Sequence, residues 1–488
     1  MKQSKYAVGL LLCLLSFFSC SVPDIREYKD TGVSPDLFPD YIDVTVPCNI
    51  APLNFRLQQP GTREVLWLEG KGRALKISSS DGKFSIPPHQ WKNLLEANKG
   101  GTIKLTVFSK EGESWKRYNP FSIHISADPV DPYLVYRLIE PGYELWDKMG
   151  IYQRDLENYD ESAVYENKMT GYNCVNCHSF CMQNPGEMMF HMRGQDGGTM
   201  LVKNGETEKL NTKTDSTISA LVYPCWHPSG RFIAFSVNKI EQVFYLNNRN
   251  RIEVFDSESD VVVYDTDEHE IFTSPLLSDK KMLETFPGFS PDGKTLYFCS
   301  AKTFPVPVKS DSVKYSLCSV PFFPGTRTFG EKVDTVFNAE VTGKSASFPR
   351  ISPDGRFLLF TVCGYGSFPI WHKEADLYML DLKTKKYIDM SKVNSPDVDS
   401  YHSWSSNSRW IVFSSRRTDG LYTRPYIAHI GENGEAGKAF MLPQKDPSFY
   451  DAFMKSYNIP ELVKGEVKTD PYCIAGRAKS PGVSVKFR

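Results

Sequence analysis

The chain has 488 residues, 41% of them hydrophobic and 13% aromatic. That is enough apolar material for two or three packed domains and too much for a disordered polymer. Lys and Arg total 57 against 58 Asp and Glu, a formal charge of −1, which argues against a nucleic-acid partner because such binders carry a basic excess.

Residues 1–19 read as a leader. Lys2 and Lys5 supply a basic start, and the apolar run 8–18 is too short to span a bilayer as a helix. Ser16-Phe-Phe-Ser19-Cys20 follows. A small residue before a cysteine at this point resembles the signal of bacterial lipoproteins, although Phe17 stands where that family usually has Leu. The resemblance implies cleavage before Cys20, lipidation of Cys20, and an envelope protein anchored in the outer membrane, facing the periplasm or the outside. An ordinary secretory leader would give the same extracytoplasmic address. Residues 20–40 are polar and rich in Pro, Gly and Asp, the composition of a tether.

From 41 to 128 the pattern alternates as strands do, most clearly over 41–46, 65–68, 75–77, 102–108 and 121–125. Asp81-Gly82 is a turn signal, and 91–98 predicts a short helix. These short strands predict a small β-sandwich of immunoglobulin or fibronectin type. His89 and His124 have no partner motif and read as surface or packing residues.

Asp128-Pro-Val-Asp-Pro132 marks a boundary, and 129–186 reads as a linker with the first strands of the next domain. It contains Gly171-Tyr-Asn-Cys174-Val-Asn-Cys177-His178-Ser-Phe180. C-x-x-C-H is the attachment pattern of a c-type haem. Two thiols at this spacing can add to the two vinyl groups of one porphyrin, and the following histidine can ligate the iron. The expectation is one haem c on Cys174 and Cys177, with His178 as proximal ligand. Among Met182, Met188, Met189, His191 and Met192, the distal candidates are His191 or Met192. Two other readings stay open. Cys174 and Cys177 could form a disulfide, or Cys174, Cys177, Cys181 and His178 could hold zinc or an iron–sulfur cluster, though no second C-x-x-C completes a zinc ribbon.

Beyond residue 222 a unit recurs every 50–60 residues or so. Trp226-His-Pro-Ser-Gly-Arg-Phe-Ile-Ala-Phe-Ser236 aligns with Phe289-Ser-Pro-Asp-Gly-Lys-Thr-Leu-Tyr-Phe-Cys299 and Ile351-Ser-Pro-Asp-Gly-Arg-Phe-Leu-Leu-Phe-Thr361. A degenerate fourth copy is Trp404-Ser-Ser-Asn-Ser-Arg-Trp-Ile-Val-Phe-Ser414. Pro-Asp-Gly makes a tight turn and the apolar run after it a buried strand. This pattern is similar to the WD-repeat-like β-propeller of the TolB type. The resemblance implies an all-β fold, with a propeller over 187–446. Five blades follow residue 180, and strands of 131–170, helped by the C-terminal segment, would make a sixth. The stretch around the C-x-x-C-H string also resembles propeller lipoproteins of Bacteroidetes-type bacteria, in which the string is read as cytochrome c-like. Residues 447–488 read as a tail with a helix near 449–457.

The function expected is a binding platform for an envelope protein or glycan, with a haem that could transfer electrons. The alternatives are a haem-free interaction protein with the Cys174–Cys177 disulfide, or a propeller enzyme acting on glycans. Trp226-His227 and Tyr401-His402-Ser403-Trp404 lie where propellers gather ligand contacts. Asp376, Asp381, Asp397 and Asp399 read as turn residues, and Arg416-Arg417 as a solvated pair. No Gly-x-Ser-x-Gly elbow or phosphate loop is present, so the balance falls on the non-catalytic side.

Overall fold

The computed structural model describes residues 22–72, 74–140, 148–245 and 250–488. The leader and Cys20 lie outside them. The chain is nearly all β and propeller-like.

The N-terminal part has two sheets. One has seven strands, centred on Thr102–Glu111; the other joins Leu37–Phe38, Phe55–Leu57 and Lys83–Phe84. Two pairings are parallel: Lys29–Asp30 with Ser114–Arg117, and Phe121–Ile125 with Val44–Val46. The predicted helix is found at Pro88–Ala97. Its first proline needs no N–H partner, and Trp91, Leu94 and Leu95, on one face at helical spacing, are buried. Trp91 donates from Nε1 to the Ile50 carbonyl at 2.9 Å, so the helix is tied to the sandwich core.

Six further sheets follow. Their innermost strands are Ser456–Val463, Val175–Phe180, Val222–Trp226, Met282–Phe289, Ser345–Ile351 and Asp399–Trp404. Each of these touches the next, and the circuit closes from Asp399–Trp404 through Ser456–Val463 back to Val175–Phe180. The closing strand comes from near the C-terminus. Ser456–Val463 pairs antiparallel with Tyr133–Ile139, so the first sheet is assembled from both ends of the ring. The helix expected near 449–457 is a single turn, Phe449–Ala452, followed by this strand. Tyr457 and Leu462 are both buried there, on either side of the left-handed Ile459, where the bulge interrupts the alternation.

The second sheet begins at Val175–Phe180, within the 129–186 stretch read as linker and first strands. The tail covers edges that would otherwise be unpaired. Val483–Ser484 pairs with Glu206–Asn211, and Lys486–Phe487 with Glu270–Phe272.

The turn motif behaves alike in three copies. Gly230, Gly293 and Gly355 are left-handed, with φ of 71°, 70° and 75°. The N-terminal sheets pack on the ring through one continuous core that includes Tyr41, Phe55, Trp91, Trp404, Trp410 and Phe440.

Candidate functional site

Every innermost strand is bulged at one place. The pairing of the innermost strand with its neighbour shifts register once in each of the six ring sheets, at Val135/Arg137, Asn176/Ser179, Val222/Cys225, Thr285/Gly288, Ser347/Arg350 and Ser400/Ser403. At each shift one residue of the innermost strand is left-handed: Ile459 (φ 50°), Cys177 (54°), Tyr223 (51°), Phe286 (50°), Phe348 (55°) and Tyr401 (48°). That conformation is unfavourable for bulky side chains, by ~1–3 kcal/mol each. Its recurrence at equivalent positions marks a device that re-aims side chains.

Aligned on this residue, the strands read Cys177-His-Ser-Phe180, Tyr223-Pro-Cys-Trp226, Phe286-Pro-Gly-Phe289, Phe348-Pro-Arg-Ile351, Tyr401-His-Ser-Trp404 and Ile459-Pro-Glu-Leu462. All six first residues line one cavity on the ring axis. All six third residues, Ser179, Cys225, Gly288, Arg350, Ser403 and Glu461, line a second. Arg350 and Glu461 line both. The channel therefore has two storeys, with these two residues between them.

The upper storey is a cavity of about 120 Å³. Its wall is a run of aromatic contacts, with centroid separations of 4.5 Å for Tyr223–Phe286, 4.2 Å for Phe286–Phe348 and 4.8 Å for Phe348–Tyr401. Arg137 enters from the first sheet and donates to the Val175 carbonyl (3.1 Å), Asn458 Oδ1 (2.8 Å) and Asn176. Glu461 accepts from the Phe180 N–H at 3.1 Å. Burial pushes its carboxyl up to about 7, against the pull of Arg350 and that N–H.

The second residue of each unit braces the ring. It is proline in four sheets and histidine in two. His402 Nε2 sits 3.0 Å from the Leu359 carbonyl in the preceding sheet, with the Phe348 carbonyl also facing it. His178 faces the equivalent carbonyls of Val135 and Ile459 but closes a hydrogen bond to neither, and both its nitrogens are buried unpaired. Burial and a nearby arginine (Arg137 for His178, Arg350 for His402) push both imidazoles down to about 3. Tryptophans repeat a brace one step on. Trp226 Nε1 donates to the Ser179 carbonyl (3.3 Å) and Trp404 Nε1 to the Arg350 carbonyl (3.1 Å).

The C-x-x-C-H residues thus belong to one copy of a sixfold unit. Cys174 is packed in the core between the first and second sheets with Val135, Met149 and Met192. Cys177 faces the other way, its sulfur accepting from the Tyr223 N–H, and burial pushes its thiol up. His178 turns back to the first sheet. A c-type haem needs both thiols and the histidine on one macrocycle. These three diverge into packed surroundings, and the cavity beside Cys177, about 120 Å³, has no room for a porphyrin. The residues as folded do not fit the group.

The distal candidates are no better placed. His191 lies one strand out, opposite Asn176, with Nδ1 3.3 Å from Thr199 Oγ1, and burial pushes it down to about 4. Met192 Sδ accepts from Thr170 at 3.6 Å within the inter-sheet core. Neither lines the channel. Cys181 packs in a different core from Cys174. Among the described residues no three His, Cys, Asp or Glu gather as a metal site, and all nine cysteines are free thiols.

Arg416-Arg417 is not a solvated pair. Arg416 is 5% exposed and its guanidinium lies 3.5 Å from the centroid of Trp371, while Arg417 pairs with Asp399 at 2.7 Å. Asp381 serves its turn, accepting from Lys383 and Thr384 N–H groups. Sequence reasoning missed Arg137, Arg350, Glu461 and the aromatic collar. The available signal was the aromatic-Pro pair before each Trp-His-Pro or Ser-Pro-Asp-Gly tip.

No protein-family model and no curated protein matches the chain. Among solved structures it is similar to prolyl oligopeptidase B from Galerina marginata, at 10% identity and TM-score 0.35, over 69% of this chain and 42% of that one. The chain thus spans less than half the length of that enzyme. It is similar to the periplasmic gluconolactonase of Pseudomonas aeruginosa, at 12% identity and TM-score 0.35, over 64% of this chain and 97% of that one. It is also similar to an ACO/RPE65 chimera, at 9% identity and TM-score 0.38, over 86% and 95% of the two chains. No activity follows from likeness at this level.

Proposed function

We propose that the chain is a ligand-binding protein of the cell envelope whose site is the two-storey channel. In this reading the six ring sheets are the blades of a β-propeller, the N-terminal sheets are a sandwich of immunoglobulin-like kind that steadies it, and Cys20 carries the lipid anchor. The leader supports the address. The single observation that carries the binding role is the recurrence of a strained bulge in all six innermost strands, aiming one side chain per sheet into the axis. A channel needed only for packing would be filled by relaxed apolar residues; this one holds two arginines, a carboxylate and two histidines.

The haem and electron-transfer half of the expected function draws no support from the diverging Cys174, Cys177 and His178. For a glycan-cleaving enzyme, Glu461 is the only carboxylate among the described residues lining either storey, so a carboxylate pair is not supplied there. Binding is tested by thermal shift and calorimetry against a broad panel of small metabolites, with Tyr401→Ala as control. Saturable binding that is lost in Tyr401→Ala supports the channel. Binding unaffected by Tyr401→Ala and by Phe348→Ala places the site elsewhere and refutes the reading.

A further inference from the structure

Resting on the channel as the binding site, we infer that its upper storey accepts a small organic monoanion, a carboxylate carried on a flat apolar body about the size of one aromatic ring. The charge comes first. Arg137 and Arg350 both line this cavity, and neither makes an ion pair among the described residues. Arg137 spends its bonded donors on neutral oxygens of Val175, Asn176 and Asn458, and its Nε is buried without a partner. The Arg350 side chain lies near the Cys225 thiol and Glu461. A guanidinium stays charged at any working pH, and both of these are partly withdrawn from solvent. Two of them converge here on a space with one carboxylate, Glu461, whose Phe180 N–H bond holds it at the floor.

Size and wall fix the body of the ligand. The cavity is about 120 Å³ and adjoins the second storey, about 110 Å³, at Arg350 and Glu461; an apolar cavity of ~150 Å³ is known to take benzene, so the two together hold one ring and its carboxylate. The collar of Tyr223, Phe286, Phe348 and Tyr401 presents ring surfaces at stacking distances. Aromatic walls also attract cations, but two guanidinium groups against one carboxylate repel them.

The test uses benzoate, benzamide and benzylamine, which share a ring and differ in charge, in calorimetric titrations of the purified protein. Benzoate is expected to bind saturably, benzamide at least about tenfold more weakly, and benzylamine not at all, because the discriminating term is a charge-assisted hydrogen bond. Arg350→Gln is expected to weaken benzoate about tenfold and leave benzamide unchanged. Should Arg350→Gln fail to fold, Glu461→Gln serves, and it is expected to tighten benzoate by removing the one carboxylate among the described lining residues. Benzamide or benzylamine binding as well as benzoate, with binding lost in Tyr401→Ala, overturns the anion and leaves the channel standing. Failure of all three probes overturns the inference, while the wider metabolite panel still decides the channel. Benzoate affinity unchanged in both Arg350→Gln and Glu461→Gln also overturns it.

Discussion

His178 and His402 occupy the same place in two sheets of one ring. Each follows a left-handed residue, Cys177 or Tyr401. Each faces the carbonyl of the residue paired with the third member of the preceding unit: Val135 opposite Glu461, and Leu359 opposite Arg350. The equivalence turns a string that reads as cofactor chemistry into part of the ring's own construction.

His178→Pro is therefore expected to fold. Four of the six units carry proline at this position, namely Pro224, Pro287, Pro349 and Pro460, each after a left-handed residue. The substitution removes two unpaired buried nitrogens and matches the local backbone, so stability should stay within ~1 kcal/mol of the parent. Urea unfolding measures it. Loss of the folded state would break the equivalence.

The buried histidines set an acid limit. Folding lowers His178 and His402 to about 3 and His191 to about 4, chiefly through burial. Between those values and ~6.5 the unfolded chain binds more protons, so stability rises with pH across that window and falls as pH drops through it. His178→Pro should flatten the acid limb of a stability–pH curve. An unchanged limb would show that His178 is not buried neutral.

The opposite sign holds at His372, which is 1% exposed. Its Nε2 lies 3.2 Å from Glu253 and its Nδ1 3.3 Å from Glu374. Burial alone would lower its pKa, but the two carboxylates override this and raise it to about 9. Its contribution is fully present below ~6.5 and lost as pH rises through about 9. The pair ties the long hairpin Phe232–Phe244 and Ile252–Asp265 to the fifth sheet's loop. His372→Gln should remove the alkaline loss of stability, up to about 3 kcal/mol. Thermal melts at pH 6 to 10 would show it, and equal slopes for parent and variant would refute it.

Glu461 titrates in the channel at about 7, raised by burial. Its ionisation therefore costs stability as pH rises from ~4.5 through 7. Glu461→Gln can still accept from the Phe180 N–H and should be more stable than the parent at pH 8 by ~1–3 kcal/mol, with no difference near pH 4. Paired denaturation curves at the two pH values decide it.

Much of the fold was legible from local chemistry. The Pro-Asp-Gly tips, the apolar strand after each, and the pattern of 102–111 and 121–125 follow from turn geometry and alternation, which are short-range. The channel was not, because its unit keeps a backbone shape and varies its chemistry. Cys177, Tyr223, Phe286, Phe348, Tyr401 and Ile459 share a left-handed φ and no side-chain property. Arg350 and Glu461 are single residues in unlike strands, brought together only by closure of Ser456–Val463 on Tyr133–Ile139. For Cys174-x-x-Cys177-His178, spacing along the chain does not report direction. On a bulged strand the three side chains leave toward different neighbours, whereas haem attachment needs them on one side.

The most direct test of this account is the visible spectrum and intact mass of the protein secreted from cells that also make the c-type haem maturation machinery. The account predicts no Soret band, a polypeptide mass without a haem adduct, and reactive thiols at Cys174 and Cys177 on denaturation. A covalent haem adduct that disappears in Cys174→Ala and Cys177→Ala would contradict it.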